Sequence, residues 1–253
     1  MSTPKAIVFS DWDGTITLQD SNDFLTDNIG MGYDKRMVIN DAILQGKTNF
    51  RDGFREMLES VNKPFNECVE YLLANIKLDP GFKEFFKYCQ SENITIVVVS
   101  SGMAPIISAL LYQLVGPDAS KRIEVLSNNV RIADNGDEWE LLFKDPDSPF
   151  GHDKAKSIKE WLTSRGYVDD TGDYEGITKP KLFYLGDGVS DLSAAKETDL
   201  LFAKHGKDLI KYCIRENIPY TEFKDFKEIL DKLKKINQGE AIENFIENPN
   251  VQN

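Results

Sequence analysis

Apolar residues gather along this chain in two ways, and the contrast between them predicts the architecture. Residues 6–9, 94–99 and 182–185 are short runs that are apolar without alternation. β-Branched and aromatic runs of this kind predict strands buried on both faces, as in a parallel sheet. Elsewhere the apolar residues recur at helical spacing. Phe50, Phe54, Met57, Leu58 and Val61 share one helical face, and Cys68, Tyr71, Leu72 and Ile76 share another. Helical patterns also cover 82–92, 104–115 (stopped by Gly116-Pro117) and 153–165. This alternation predicts an α/β fold with a doubly wound, Rossmann-like parallel sheet.

The stretch 17–79 carries helical patterns and no strand, so it reads as a helical insert after the first strand. Pro80 and Gly81 mark the return. The expected division is a core made of 1–16 and 80–237, a helical cap at 17–79, and a polar tail from Gln238 that frays. Residues 124–127 read as a strand, 130–143 as a hairpin around Asp134-Asn135-Gly136-Asp137, and 169–178 as a loop.

Composition sharpens this picture. With 253 residues, 41% of them hydrophobic and 28% charged, the chain can bury a sizeable core and is not globally disordered. A formal net charge of -12 repels nucleic acids and anionic membranes over most of the surface, so no nucleic-acid or membrane partner is expected. A phosphate-bearing ligand must then be met by a local positive site. Cys68, Cys89 and Cys213 lie far apart, without metal spacing, and read as reduced thiols of a cytoplasmic protein. The apolar run after Met1 is too short for a signal peptide or a membrane span.

The candidate chemistry lies where the strands end. The first runs into Ser10-Asp11-Trp12-Asp13-Gly14-Thr15, the second into Ser100-Ser101-Gly102, and the third into Gly186-Asp187-Gly188-Val189-Ser190-Asp191. Ligands of open α/β sheets bind at that edge. Asp11 and Asp13 repel each other unless a cation or proton intervenes, and a hard divalent ion such as magnesium fits. One carboxylate can attack phosphorus while the other works as acid and base. Ser100 and the N–H groups after it can hold a phosphate oxygen, with Gly102 allowing close approach. Each motif alone also has a plainer reading: capping aspartates, an N-cap serine at Ser100 or Ser101, a glycine turn. Lys154, at a helix start where its charge opposes the macrodipole, suits a partner anion, although Lys156 and Lys159 offer similar grounds. His152 and His205 fit no zinc or triad pattern and read as structural or surface residues. Trp12 reads as a packing residue, and 224–235 as a solvated helix face.

Taken in order, Asp11-Trp12-Asp13-Gly14-Thr15, then Ser100, then a downstream lysine, then the Gly186-to-Asp191 motif closely resemble the haloacid dehalogenase superfamily. The resemblance spans Asp11 to Asp191, and the insert looks like the cap of its phosphoserine-phosphatase-like branch. It implies a phosphatase with Asp11 as nucleophile and metal ligand. Asp13 would be the acid/base, with its backbone carbonyl on magnesium. Ser100, with Ser101 and Gly102, would bind the phosphoryl group and Lys154 would balance its charge. Asp187 would complete the metal site, and Asp191 would sit in or just behind it.

Substrate choice is read from the cap. Phosphoserine phosphatases use an acidic residue after the first motif and a cap arginine. Asp20 lies near that position, beside Asn22 and Asp23, while Arg51 and Arg55 are cap arginines that also suit solvated helix positions. Asp20, Ser21 and Asn22 suit hydroxyl groups, and the chain is similar to fungal polyol phosphatases of this superfamily. The expected partner is a small phosphorylated metabolite, with no obligate protein partner. Phosphoserine or a methionine-salvage intermediate is the alternative substrate. A catalytically silent binding protein is the rival from another class.

Overall fold

The computed structural model describes residues 3–168, 174 and 179–247. Its sheet contains β1 (Ala6–Ser10), β2 (Ile94–Met103), β3 (Glu124–Ile132), β4 (Trp139–Leu142), β5 (Lys181–Gly186), β6 (Leu200–Lys204) and β7 (Thr221–Phe223). The spatial order is β4-β3-β2-β1-β5-β6-β7, with every pair parallel except the β3–β4 hairpin. Central β1 is buried along its whole length, as its unalternated pattern predicts. Ala6 and Val8 join one apolar layer, whereas Ile7 and Phe9 join the other.

Helices cover both faces. Four lie between β1 and β2 before the return to the sheet: α1 (Ser21–Ile29), α2 (Tyr33–Leu44), α3 (Phe50–Glu59) and α4 (Phe65–Asn75). The others are α5 (Phe82–Ser91), α6 (Ala104–Leu114), α7 (Pro117–Arg122), α8 (Lys154–Ser164), α9 (Leu192–Ala195), α10 (Asp208–Glu216) and α11 (Phe226–Asn237). Phe82 and Phe85 of α5 pack edge-on against Phe226 of α11 on one face. On the other, Trp161 of α8 meets Phe9 edge-on at 5.6 Å.

The four-helix insert leaves and returns through paired linkers. Thr17 and Leu78 form an antiparallel bridge, flanked by Leu18 N–H to Lys77 O at 2.8 Å and Asp79 N–H to Ile16 O at 2.9 Å. Phe54, Leu58, Phe65 and Leu72 of the insert belong to the same apolar layer as Val8. A seam on the other side joins the insert to the hairpin, where Trp139 Nε1 donates to Lys63 O at 2.9 Å.

The structure departs from the pattern in four places. Strand β2 runs through Ser100 and Ser101 to Met103, and α6 is capped at Met103 without a side-chain bond, so neither serine is an N-cap. Strand β3 continues unbroken into the hairpin, because 124–127 and the first hairpin arm are one strand. Strands β6 and β7 go beyond the pattern: the β6 run Leu200-Leu201-Phe202-Ala203 lacks β-branched residues and is not distinguished from helix, and β7 has only three residues. The tail expected to fray from Gln238 is held as far as Glu247: Ile242, Phe245 and Ile246 pack on the core, and Glu247 N–H donates to Tyr220 O at 2.7 Å. Apart from Tyr174, the expected loop at 169–178 lies outside the described residues, as do 248–253. Among the described residues no helix is long and apolar enough to cross a membrane.

A buried ion pair locks the return linker to the core. Asp79 Oδ2 lies 3.3 Å from Lys204 Nζ, while Asp79 Oδ1 accepts the N–H groups of Gly81 (2.9 Å) and Phe226 (3.2 Å). Removing one partner strands the other in the core. Asp79→Ala is expected to destabilise the fold by roughly 3–5 kcal/mol, read as a lower denaturant midpoint. A midpoint equal to wild type would show that this pair does not hold the linker.

Candidate active site

Asp11 is the first residue beyond β1, and its N–H is held by Leu185 O of β5 at 2.8 Å. Asp11 Oδ1 accepts from the Trp12 N–H at 2.7 Å, which leaves Oδ2 facing Lys154 Nζ at 2.9 Å. Lys154 opens α8 behind the N-cap Asp153. Its side chain is fully enclosed, and its ammonium makes a second bond to Asp191 Oδ1 at 2.6 Å. Burial alone would lower the Lys154 pKa, but the charges of Asp11 and Asp191 outweigh it and raise it. Lys156 and Lys159 instead form surface pairs with Asp145 and Glu197.

Asp191 is fixed from all sides. Oδ1 accepts from Lys154 and from the Tyr184 hydroxyl at 2.5 Å, and Oδ2 accepts the N–H groups of Asp187 and Gly188, each at 3.0 Å. Gly186 lets this happen, since a Cβ there would stand 2.5 Å from Asp191 Cγ. Asp187 follows β5 on the neighbouring side, with Lys207 Nζ 3.7 Å from its Oδ2. One oxygen from each of Asp11, Asp187 and Asp191 lies within 4.8 Å of the others. Burial, with Lys154 opposing and Asp191 adding, pushes Asp11 up to about 7. Burial and the charges of Asp11 and Asp191 hold Asp187 well above the usual carboxylate range. The oxygens of these three carboxylates form a desolvated, all-oxygen donor set beside the Lys154 ammonium, with the partly exposed Lys207 ammonium next to Asp187. Such a donor set fits magnesium.

Asp13 stands apart from those three. Its Oδ1 accepts the Ser21 N–H at 2.8 Å and its Oδ2 accepts Asn22 Nδ2 at 3.0 Å. Burial, then the charge of Asp20, keeps its carboxyl well above the usual range, which suits a group that carries a proton. Asn22, expected on the substrate side, therefore spends its amide nitrogen on Asp13 and, at 3.3 Å, on Asp20. Asp20 caps α1 through the N–H groups of Asn22 and Asp23. Ser100 Oγ accepts the Gly102 N–H at 3.1 Å, and Ser101 O accepts Asn128 Nδ2 at 2.8 Å. Gly102 closes against Asp13, because a Cβ there would fall 2.7 Å from Asp13 Oδ2. Trp12 is buried in the core, as read from its position.

The cap arginines have other partners. The Arg51 guanidinium binds Pro146 O and Asp52, while its N–H donates to Pro149 O. Arg55 stacks over Phe143, 4.9 Å from the ring centre. Both thus sit on the seam between cap and core. A cavity of about 220 Å³ opens instead between the cap and the Asp187 turn. Asp20, Asp23, Asn40, Asp187, Lys207 and Asp208 are among its polar groups, with Ile43, Leu44 and Phe50 as apolar walls.

Three site residues escaped the sequence reading. Tyr184 lay inside an apolar run, where its hydroxyl was the only signal. Lys207 follows β6, whose leucine-rich run carries no strand signal. His152, read as structural or surface, is wholly buried and lies 2.7 Å from Ser100 O. His205, by contrast, is an exposed partner of Glu222.

Residues 8–196 match the family described as haloacid dehalogenase-like hydrolase. The chain belongs to this family. It is 49% identical over 236 residues to polyol phosphate phosphatase PYP1 of Saccharomyces cerevisiae, covering 93% of this chain and 95% of that protein. It is 48% identical over 229 residues to Pdp3-interacting factor 1 of Schizosaccharomyces pombe, covering 90% and 95%. The fold is shared with a substrate-bound phosphoserine phosphatase at a TM-score of 0.66 and 18% identity, over 91% of this chain and 99% of that one. The α/β fold with its mostly parallel sheet is therefore that of a haloacid dehalogenase-type phosphatase, the family, fold and enzyme class expected from the sequence.

Gly102 gives a direct steric probe of this arrangement, because its backbone is not in the left-handed region and only the new Cβ is at issue. Gly102→Ala is expected to lower kcat by about 100-fold through displacement of Asp13, with an unchanged circular dichroism spectrum. Wild-type turnover would show that the Asp13 carboxyl does not need this contact.

Proposed function

We propose that this phosphatase hydrolyses the phosphate ester of a small polyol or sugar alcohol, using magnesium and a phospho-aspartate intermediate. The observation that carries the chemistry is the Lys154 ammonium 2.9 Å from Asp11 Oδ2, at the same sheet edge as Ser100 and Asp187. Phosphoryl transfer depends on alignment and charge neutralisation more than on elaborate covalent machinery. A magnesium ion held by Asp11, Asp187 and the Asp13 backbone carbonyl, with Asp191 behind, would supply Lewis-acid charge on the phosphoryl oxygens.

The side chains divide the remaining work. Asp11 Oδ2 attacks phosphorus, forming the acyl phosphate as the bond to the ester oxygen breaks. Asp13, protonated at the outset, gives its proton to that departing oxygen. After the alcohol leaves, Asp13 accepts a proton from water as the water attacks phosphorus and frees Asp11. Ser100 and the N–H groups beyond it orient the phosphoryl oxygens, and Lys154 offsets their charge.

Substrate class rests on two supports. One is the 49% identity to a protein named polyol phosphate phosphatase. The other is the cavity beside Asp187, where Asp20, Asp23 and Asn40 can pair with hydroxyl groups. Burial and the charge of Asp20 raise the Asp23 carboxyl to about 8 against the pull of Arg36, which lies 2.8 Å from its Oδ2. Arg36 is already paired with Asp23 and Asp27, so a substrate carboxylate would have to meet Lys207, itself 3.7 Å from Asp187.

Phosphate release over a panel of polyol phosphates, phosphoserine and methylthio-sugar phosphates tests the assignment. Polyol phosphates are expected to turn over fastest, and preference for phosphoserine would overturn the substrate class. Asp11→Asn is expected to abolish turnover while keeping the fold; wild-type activity in that variant would exclude the covalent route. Chelation of divalent cations is expected to stop turnover and magnesium to restore it. Activity that survives exhaustive chelation would contradict the metal assignment.

A further inference from the structure

We infer that His152 is a positioning residue that sets the spacing between the two groups assigned to the phosphoryl oxygens, Ser100 and Lys154. The inference rests on the roles given to those two residues under the proposed function. Its imidazole is fully enclosed and has a partner on each edge: Nδ1 lies 2.7 Å from Ser100 O, and Nε2 lies 2.7 Å from Ser157 Oγ. A carbonyl can only accept, so Nδ1 carries the proton, and Nε2 then accepts the Ser157 hydroxyl. Burial brings the ring's pKa down to about 4, which keeps it in that single neutral form at physiological pH.

The two partners sit on different elements. Ser100 lies near the end of β2, and Ser157 lies on α8, three residues after Lys154. His152 precedes the N-cap of α8, so the ring spans the gap between the strand end and the helix start. A planar ring with a donor on one edge and an acceptor on the other forms a strut of fixed length. Lys154 is already clamped by Asp11 and Asp191. Loss of the strut is therefore taken up at the Ser100 end, where the backbone carbonyl is freed and Ser100 Oγ moves away from the reacting centre. Asn22 and Tyr184 make comparable contacts, to Asp13 and Asp191, but neither spans two elements that each carry a phosphoryl-binding group.

The test compares wild type, His152→Ala, His152→Asn, Ser100→Ala and the His152→Ala/Ser100→Ala double variant, well below the melting temperature of each. Turnover of p-nitrophenyl phosphate with magnesium and inhibition by orthovanadate, a mimic of the transferring phosphoryl group, are measured together. His152→Ala is expected to lose roughly 10- to 100-fold in kcat with KM little changed, and orthovanadate inhibition weakens in parallel. His152→Asn, which keeps an N–H toward Ser100 O, recovers most of the loss. In the double variant the two losses do not multiply, because both act through Ser100. A purely structural His152 would lower the melting temperature and leave kcat and orthovanadate affinity intact, which would overturn the inference; fully multiplicative losses would do the same. If Ser100→Ala alone changes neither quantity, the phosphoryl role of Ser100 falls and takes this inference with it. Should His152→Ala fail to fold, Ser157→Ala removes one end of the strut. A smaller parallel loss in kcat and orthovanadate affinity is then expected, and no loss overturns the proposal.

Discussion

A single ammonium group deep in the protein organises this site. Lys154 is fully enclosed, and it remains charged only because Asp11 and Asp191 stand within 3 Å of its nitrogen. The same contact imposes order on its neighbours. It orients Oδ2 of Asp11, draws α8 against the ends of β1 and β5, and requires Asp191 to be braced by Tyr184 and two backbone N–H groups. Asp11, half-buried Asp187 and Asp191 together outnumber the Lys154 and Lys207 ammonium groups beside them. Under the proposed function a divalent cation offsets that deficit of positive charge, and the phosphoryl group of the substrate completes the balance.

The fold supplies this convergence through topology. β1 lies between β2 and β5 in a parallel register, so the residues after all three strands emerge along one edge. The insert then leaves directly from the Asp13 loop and brings Ser21 and Asn22 back onto Asp13. Under the proposed function acid/base chemistry and substrate selection are coupled, because α1 and its N-cap carry both the support for Asp13 and the cavity wall at Asp20 and Asp23. An otherwise acidic surface, at a net charge of -12, concentrates its useful positive charge at this edge through Lys154 and Lys207.

Much of this was legible in the sequence because β1, β2 and β5 are buried on both faces and carry unbroken apolar runs. Their endings place Asp11, Asp13, Ser100 and Asp187 at one sheet edge, and the helix-start position of Lys154 points to the anions it meets in Asp11 and Asp191. What was hidden depended on contacts between distant segments. Nothing local to His152 indicates that Ser100 O lies beside it, 52 residues away in sequence. Arg51 and Arg55 sit on a helix whose apolar stripe was clear, but their engagement with Pro146 and Phe143 depends on where the hairpin packs. The serines resembled helix caps because a strand–helix junction normally needs one; β2 instead runs on to Met103. β6, whose Leu200-Leu201-Phe202-Ala203 run has no β-branched residue to mark it as a strand, conceals Lys207 behind it.

Calorimetric titration of the chelator-treated protein with magnesium tests the charge deficit most directly. The account requires one saturable magnesium site in the wild type, with a raised melting temperature on binding, and its loss or strong weakening in Asp187→Asn. Equal magnesium affinity in the two proteins, or a wild type that binds none, would contradict it.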